Sequence, residues 1–223
     1  MKQHTIPGVY HIGKKLFTKN PSSCKNIKVY GENLRSFKGN QYRSWNPFRS
    51  KLAAVLSKKE ISLPIDPSSS ILYLGAATGT TVSHLADMCT NGYIYAVEPS
   101  PVAAKTLMNL VQQRTNIIPI IEDANHSDRY VHMLSTVDYI YQDISQRNQA
   151  DIFARNAQLF LKPGGAGVIM VKARSIDVGM NPSKAFALVK EQLETQGLAI
   201  LDSIELGPYE KDHAALFIKS SKK

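Results

Sequence analysis

Ile71-Leu72-Tyr73-Leu74-Gly75-Ala76-Ala77-Thr78-Gly79-Thr80-Thr81 is the stretch that decides the fold. Its apolar run is long enough for a buried strand, and the glycines that follow permit a tight turn and close backbone approach to a ligand. The next segment starts a helix, whose first N–H groups are free. Outward from this unit the pattern repeats. Apolar runs at Tyr93 to Val97, Ile117 to Ile121, Val137 to Tyr141 and Val168 to Val171 alternate with helical-length stretches at Thr81 to Met88, Pro101 to Arg114, Ser127 to Leu134 and Gln149 to Leu161. Such alternation predicts an α/β chain, a mostly parallel sheet with helices on both faces and a ligand site beyond the carboxyl ends of the strands. A helix over Pro182 to Gln196 and strands near Ile200 to Leu206 and Ala214 to Ile218 complete the pattern.

Chemistry is therefore sought just after each run. Gly75 and Ala76 open a nucleotide-cofactor loop by position, but the loop lacks both the GxGxxG spacing and a GK[ST] triplet. Glu98 ends the second run 23 residues beyond Gly75, the distance at which a carboxylate accepts hydrogen bonds from ribose hydroxyls. A glycine loop and a ribose carboxylate without a phosphate-binding lysine point to an adenosine cofactor that carries no phosphate: S-adenosylmethionine. After the third run, Asp123-Ala124 either receives the adenine amine or caps a helix before Ser127. Asp143-Ile144-Ser145-Gln146 ends the fourth run and Lys172-Ala173-Arg174-Ser175 the fifth. Asp143 and Lys172, on neighbouring strands, are expected to meet over the cofactor, where a lysine amine can take the proton of a ribose hydroxyl as it is alkylated. That chemistry requires no metal, and no carboxylate cluster of the kind that holds magnesium stands out.

The chain has 223 residues, against about 150 for a domain. Residues 1–45 read as a small antiparallel β domain of short strands broken by glycines, 46–70 as a connecting helix and linker, and 71–223 as the α/β domain. Asn46 caps the connecting helix in this reading, with Pro47 in its first turn and Lys51 about one turn in. Met1 to Glu60 carries 13 basic and 2 acidic residues, a charge of +11, while the remainder holds 14 and 16, or −2. A basic segment set apart in this way fits a polyanion as well as it fits a solvated face. Cys24 and Cys89 are the only cysteines, so disulfide frameworks and cysteine-based zinc sites are excluded and a reducing interior is expected. No run approaches the roughly 18 apolar residues of a membrane span and no signal segment is apparent, so neither membrane insertion nor secretion is expected.

Longer blocks carry a resemblance. Trp45-Asn46-Pro47-Phe48-Arg49-Ser50-Lys51-Leu52-Ala53, Tyr73 through His84, Tyr95-Ala96-Val97-Glu98, Lys172 through Asp177 and Pro208-Tyr209-Glu210-Lys211-Asp212-His213-Ala214 closely resemble the fibrillarin family. That family holds the RNA 2′-O-methyltransferases of box C/D ribonucleoproteins. The resemblance implies a Rossmann-like S-adenosylmethionine-dependent methyltransferase fold, with a seven-stranded sheet behind a small β domain, that acts on pre-rRNA and tRNA. It also implies a catalytic tetrad of Lys51, Asp143, Lys172 and His213. Cofactor contacts carry over to Thr80, Thr81, Glu98, Pro99, Asp123, Ala124, Asp143, Ile144, Ser145 and Gln146. In this reading Lys172 is the general base, Asp143 holds its charge and position, and Lys51 and His213 shape the pocket or bind the target backbone.

Pro99 stands where the family commonly has Phe, Thr78 where Ser is common, and Ile144-Ser145 where the usual pair is Val-Ala. Implied partners are a guide RNA, a Nop-domain scaffold protein and a kink-turn-binding protein, with pairing to the guide choosing the nucleotide. Tyr42 and Trp45 are then core or scaffold-docking residues rather than base-reading platforms. Without an arginine/glycine-rich tail the chain resembles the short archaeal form, which would be cytoplasmic; the eukaryotic form would be nucleolar. Two alternatives stay open. One is a stand-alone methyltransferase on RNA or a protein glutamine, marked by activity of the isolated chain. The other is a non-catalytic particle component, marked by methyl transfer that survives Lys172→Ala.

Overall fold

Short alternating segments joined by turns pair with their sequence neighbours, and in the first 45 residues all the pairings but one are of this kind; the exception joins residues 15–19 to 40–45 across an irregular stretch at 20–33. The computed structural model describes residues 1–220. Strands β1 (Lys2–Gln3), β2 (Val9–Ile12), β3 (Lys15–Lys19), β4 (Leu34–Phe37) and β5 (Asn40–Trp45) form an antiparallel sheet in the order β1-β2-β3-β5-β4. The β4–β5 hairpin closes through Lys38 and Gly39, at φ 47° and 76°, the two-residue turn whose twist matches that of the flanking strands. Trp45 is buried in the core shared with the second sheet, and Tyr42, on the opposite face of β5, is covered by Tyr10.

The connecting helix α1 (Lys51–Lys58) begins later than the sequence suggests. Asn46 does not cap it: Asn46 Oδ1 accepts from Phe48 N at 2.9 Å and its carbonyl from Arg49 N at 3.0 Å, a turn with Pro47 at its second position. Ser50 is the cap, accepting from Ala53 N at 3.4 Å, so Lys51 is the first helical residue rather than one turn in. The competing local hydrogen bonds of an Asn-Pro turn explain the shift.

The second sheet is built from β6 (Ile71–Leu74), β7 (Ile94–Val97), β8 (Ile117–Ile120), β9 (Val137–Gln142), β10 (Leu161–Lys172), β11 (Leu198–Glu205) and β12 (His213–Ser220). Its order is β11-β12-β10-β9-β6-β7-β8, and only β12 runs antiparallel to its neighbours. Helices α2 (Thr80–Met88), α3 (Pro101–Gln113), α4 (Gln149–Phe160), α5 (Ala173–Ile176) and α6 (Pro182–Thr195) follow their strands. Strand alternation divides the core. Tyr73, Tyr141, Val168 and Met170 pack on one face with α1, α2 and the first sheet, and Leu72, Leu74, Ile169 and Val171 on the other with α4 and α6. No helix among the described residues is long and apolar enough to cross a membrane.

The segment Ser127 to Leu134 forms only a short 3-10 turn over Ser127–Arg129 instead of the expected helix. Tyr130 anchors it, donating its hydroxyl to Asn156 Oδ1 at 2.5 Å and stacking on Phe160. This tertiary contact overrides a short and weak helical pattern. Strand β10 is longer than the expected run because the Lys162-Pro163-Gly164-Gly165 stretch joins it across a register shift.

A buried polar seam fastens the two sheets. Arg43, fully buried on β5, pairs with Glu32 Oε1 at 2.6 Å and with Asp87 Oδ2 of α2 at 2.5 Å, and Arg114 reaches Asp87 Oδ1 at 2.8 Å. Two guanidinium and two carboxylate charges cancel. Burial alone would raise the Glu32 pKa, but the Arg43 charge and the N–H groups of Tyr30 and Val29 outweigh it and hold it below its ordinary value. His84 stacks on Trp45 at 4.8 Å. The Tyr30 hydroxyl donates to the Ser44 carbonyl at 2.9 Å, so it accepts from His84 Nε2–H at 2.7 Å, and His84 Nδ1 accepts from the Thr18 hydroxyl at 2.7 Å. This neutral tautomer uses both ring nitrogens.

Burial, reinforced by the Arg43 and Arg114 charges, holds the His84 pKa well below its ordinary value. The unfolded chain then takes up a proton below pH about 6.5 that the folded chain refuses, so stability falls as pH drops, by up to ~1.4 kcal/mol per pH unit. Urea denaturation at pH 7 and pH 5 checks this. Wild type is expected to lose more stability across the interval than His84→Gln, which cannot titrate.

Candidate active site

Strand order reverses between β6 and β9: from β6 the chain proceeds through β7 to β8 on one side, then returns to β9 on the other. Ligands of open α/β sheets bind at such a switch point. The loops after β6 and β9 nearly touch there. Gly75 has φ +86°, and a Cβ on it would lie 2.8 Å from Ile144 Cγ2 and against the Asp143 carbonyl. Glycine is required both for the left-handed backbone and for the space. Gly79, at φ +87°, caps α2 and would crowd Leu110 if it carried a side chain.

Glu98 lies at the end of β7, beside this loop. Its Oε2 accepts from Ala77 N at 2.7 Å and its Oε1 from Ser100 N at 2.9 Å. A carboxylate has about four acceptor positions, so each oxygen retains capacity for a hydroxyl while its orientation is fixed. Pro99 follows Glu98 directly and precedes the Ser100 cap of α3. Beyond β8, Asp123 Oδ1 accepts from Asn125 N at 2.9 Å and from Gln146 Nε2 at 3.2 Å. Asp123 therefore does not cap the turn at Ser127, which has no side-chain cap. Asn125 also donates to Gln146 Oε1, and Asn148 donates to Asn125 Oδ1 at 2.9 Å. The Asp123-Ala124 and Asp143-to-Gln146 segments thus form one joined rim. Asn125, the residue that joins them, carries no signal in sequence because its contacts are made only across the two loops.

Asp143 pairs with Lys51, not with Lys172 as strand adjacency suggested. Lys51 Nζ lies 2.6 Å from Asp143 Oδ1, both side chains being about four-fifths buried, at 19% and 23% exposure. No Asp143–Lys172 ion pair occurs among the described residues. Lys172 ends β10 and stands opposite His213 in the antiparallel ladder with β12. His213 Nδ1–H donates to the Lys211 carbonyl at 2.7 Å, which leaves Nε2 as the acceptor of the neutral ring. All four groups stand at the same edge of the sheet: Asp143 just after β9, Lys172 and His213 on paired strands next to it, and Lys51 through its ion pair. Asp212, at φ 57°, binds Arg174 Nε at 3.0 Å, and its carbonyl accepts from Ala173 N at 3.0 Å, which holds the turn before His213.

Lys51 reaches this edge because α1 is hooked to α2. Thr81 Oγ1 donates to Ser50 Oγ at 2.9 Å, so the cap of one helix is bound by the second residue of the other. At its far end Lys58 donates to the carbonyls of Glu205 and Gly207 at 2.6 and 2.5 Å. Ser50 is a site residue that sequence reading passed over. Its signal was the N-cap rule at a serine three residues before Ala53.

The arrangement offers a polar rim, a carboxylate with spare acceptor capacity, a lysine–carboxylate pair, and a lysine and a histidine on paired strands at the same sheet edge. It can hold a neutral nucleoside and move a proton. Comparisons with known proteins agree in kind. The Fibrillarin family profile matches residues 1–222. A fibrillarin-like rRNA/tRNA 2′-O-methyltransferase from Methanocaldococcus jannaschii is 46% identical over 200 residues, covering 90% of this chain and 86% of that protein. Among solved structures, Aeropyrum pernix fibrillarin in complex with natively bound S-adenosyl-L-methionine has a TM-score of 0.88 at 40% identity, over 97% of this chain and 96% of that one. The fibrillarin chain of a fibrillarin/Nop5p complex has a TM-score of 0.88 at 43% identity, over 97% and 99%.

Gly75→Ala tests the switch-point geometry. The substituted residue is expected to force apart the loops after β6 and β9 and to weaken S-adenosylmethionine binding by tenfold or more, while thermal stability falls by the ~1–2 kcal/mol of left-handed strain. Calorimetric titration and thermal denaturation read the two effects separately. Ser50→Ala, which loses a cap worth about 1 kcal/mol, is expected to weaken cofactor binding less than Gly75→Ala does.

Proposed function

Because the chain belongs to the fibrillarin family, we propose that it transfers a methyl group from S-adenosyl-L-methionine to a ribose 2′-hydroxyl of rRNA or tRNA. The observation that carries this reading is the convergence of Lys51, Asp143, Lys172 and His213 at one sheet edge, beside the Gly75 loop and Glu98. The donor set suits the cofactor. Glu98 can accept from two ribose hydroxyls, and the rim of Asp123, Ala124 and Gln146 can meet an adenine edge. Gly75, Ala76, Thr80 and Thr81 form the loop and helix start beside it, Ile144 packs against Gly75, and Pro99 and Ser145 are the remaining positions assigned to the cofactor. When bound, S-adenosylmethionine supplies an electrophilic sulfonium methyl.

The chain's own residues handle the proton and the orientation. Lys172, whose amine pairs with no carboxylate among the described residues, would take the 2′-hydroxyl proton as the methyl group passes from sulfur to oxygen, the S–C bond breaking with its electron pair left on sulfur. Asp143, fixed by Lys51, keeps Oδ2 outside the ion pair and would offer it to the bound cofactor. His213 Nε2 accepts a hydrogen bond from the target ribose. Transfer to oxygen releases one proton, which Lys172 passes to solvent.

The basic first 60 residues suit an RNA backbone. A Nop-domain protein is the proposed scaffold, by analogy with the fibrillarin/Nop5p complex, and a guide RNA and a kink-turn-binding protein complete the proposed particle. Free, buried Cys24 and Cys89 suit the reducing cytoplasm in which we place it.

Methyl transfer from labelled S-adenosylmethionine to a guide-matched RNA tests the reading. The chain is assayed alone and then with scaffold, kink-turn protein and guide. Label is expected at the ribose hydroxyl and only in the full assembly. Robust transfer by the isolated chain would establish the stand-alone alternative instead. Lys172→Ala and Lys172→Arg are both expected to lower the rate roughly 10²- to 10⁴-fold with RNA binding retained, because arginine keeps the charge but cannot be a base. A Lys172→Arg enzyme of near wild-type rate would reassign the base.

A further inference from the structure

Tyr73 lies on β6 two residues before Gly75 and is buried in the core face that carries Val82, Leu85, Val168 and Met170. Its ring stacks on Tyr141, directly across the ladder, with centroids 4.5 Å apart at 20°. A phenylalanine would fill the same space, and a hydroxyl taken from water into such a core costs free energy unless it is bonded. The Tyr73 hydroxyl is bonded, to Thr81 on α2. Burial, with the Asp143 charge added to it, raises the Tyr73 pKa, so the phenol keeps its proton and remains a donor.

Thr81 Oγ1 gives its only proton to Ser50 Oγ at 2.9 Å, so toward Tyr73 it is an acceptor. Ser50 Oγ also accepts from Ala53 N at 3.4 Å, capping α1 at the residue before Lys51. Lys51 Nζ then meets Asp143 Oδ1 at 2.6 Å. Asp143 returns to β6, since its N–H donates to the Leu74 carbonyl at 2.9 Å. Tyr73, Thr81, Ser50, Lys51, Asp143 and Leu74 thus close a ring, in which two consecutive residues of one strand hold the opposite ends of the lysine–carboxylate pair. Without the Tyr73 proton, nothing in this ring fixes the rotation of the Thr81 hydroxyl that binds Ser50.

Resting on the ribose-methylation reading, we propose that Tyr73 is a positioning residue for methyl transfer: through Thr81 and Ser50 its hydroxyl sets where α1 delivers the Lys51 amine, while Leu74 beside it sets Asp143. It acts on neither the methyl group nor the ribose directly. Its contribution is to the geometry of the pair in the reacting complex, where a small misplacement costs rate more than affinity.

The test is Tyr73→Phe, which keeps the ring and its stack on Tyr141 and removes only the hydroxyl. In the assembled particle with a guide-matched RNA, kcat for ribose methylation is expected to fall roughly 10- to 100-fold, as for a site group displaced by up to about 1 Å, while the KM values for RNA and S-adenosylmethionine move less. In a Ser50→Ala background, where the relay is already cut, the same substitution should cost no further rate. In the free full-length chain, the magnetic resonance signal of the Lys51 ammonium should shift in Tyr73→Phe and likewise in Thr81→Val, and that of the Asp143 amide, held by Leu74, should not. Additive costs of Tyr73→Phe and Ser50→Ala would overturn the relay, since a phenol that only packs gives that result. So would a raised KM for S-adenosylmethionine at unchanged kcat, which would put Tyr73 at the cofactor loop instead, or a Lys51 signal that ignores both hydroxyl deletions. A Lys51 signal that follows Tyr73→Phe in a chain whose wild type methylates no ribose would keep the relay and remove the reaction.

Discussion

Asp87 carries two buried guanidinium groups on one carboxylate, Arg43 from the first sheet and Arg114 from the end of α3. The active site depends on this junction. Lys51 comes from outside the seven-stranded sheet, yet it must reach Asp143 at the sheet's carboxyl edge. It does so because β5 is locked to α2 through Arg43 and through the stacking of Trp45 on His84, and α1, which follows β5, is hooked to α2 by Ser50 and Thr81. Breaking a buried pair by removing one partner leaves an unpaired charge and costs about 3–5 kcal/mol. The four charges of Glu32, Arg43, Asp87 and Arg114 therefore belong together and sum to zero, and a neutral His84 adds no fifth charge beside them.

The second constraint is steric. The loops after β6 and β9 come together closely enough that Gly75 can carry no side chain, so the cofactor loop and the loop bearing Asp143 move as one unit. Glu98 is tied to the same unit through Ala77 N, and Asp123 through Gln146. Every group assigned to cofactor or chemistry is thus at most a few bonds from a backbone hydrogen bond or an ion pair. Preorganisation of that kind is what in-line alkylation of a weak nucleophile requires.

Much of this was legible in the residues. The alternation of apolar runs and helical stretches yields the seven-stranded sheet with most elements correct to within two residues, because burial on two faces leaves a continuous apolar run that few other structures accommodate. Gly75, Glu98 and Asp143 follow from position at strand ends alone. Ser127 to Leu134 was not legible, since Tyr130 is recruited by Asn156 and Phe160 from another helix. Lys51 and His213 stand out only through family resemblance. A lysine beginning a helix and a histidine opening a strand look like solvated residues until their partners are known.

Sequence alone determined the class of fold, the order of elements and the kind of cofactor, since periodicity and turn residues are local properties of the chain. The tertiary structure alone decided which charges meet. Asp143 pairs with Lys51, 92 residues away in the chain, and Lys172 faces His213, because an ion pair depends on where two side chains arrive after packing. Local pattern carries no record of that distance, and strand adjacency by itself pointed to the wrong lysine.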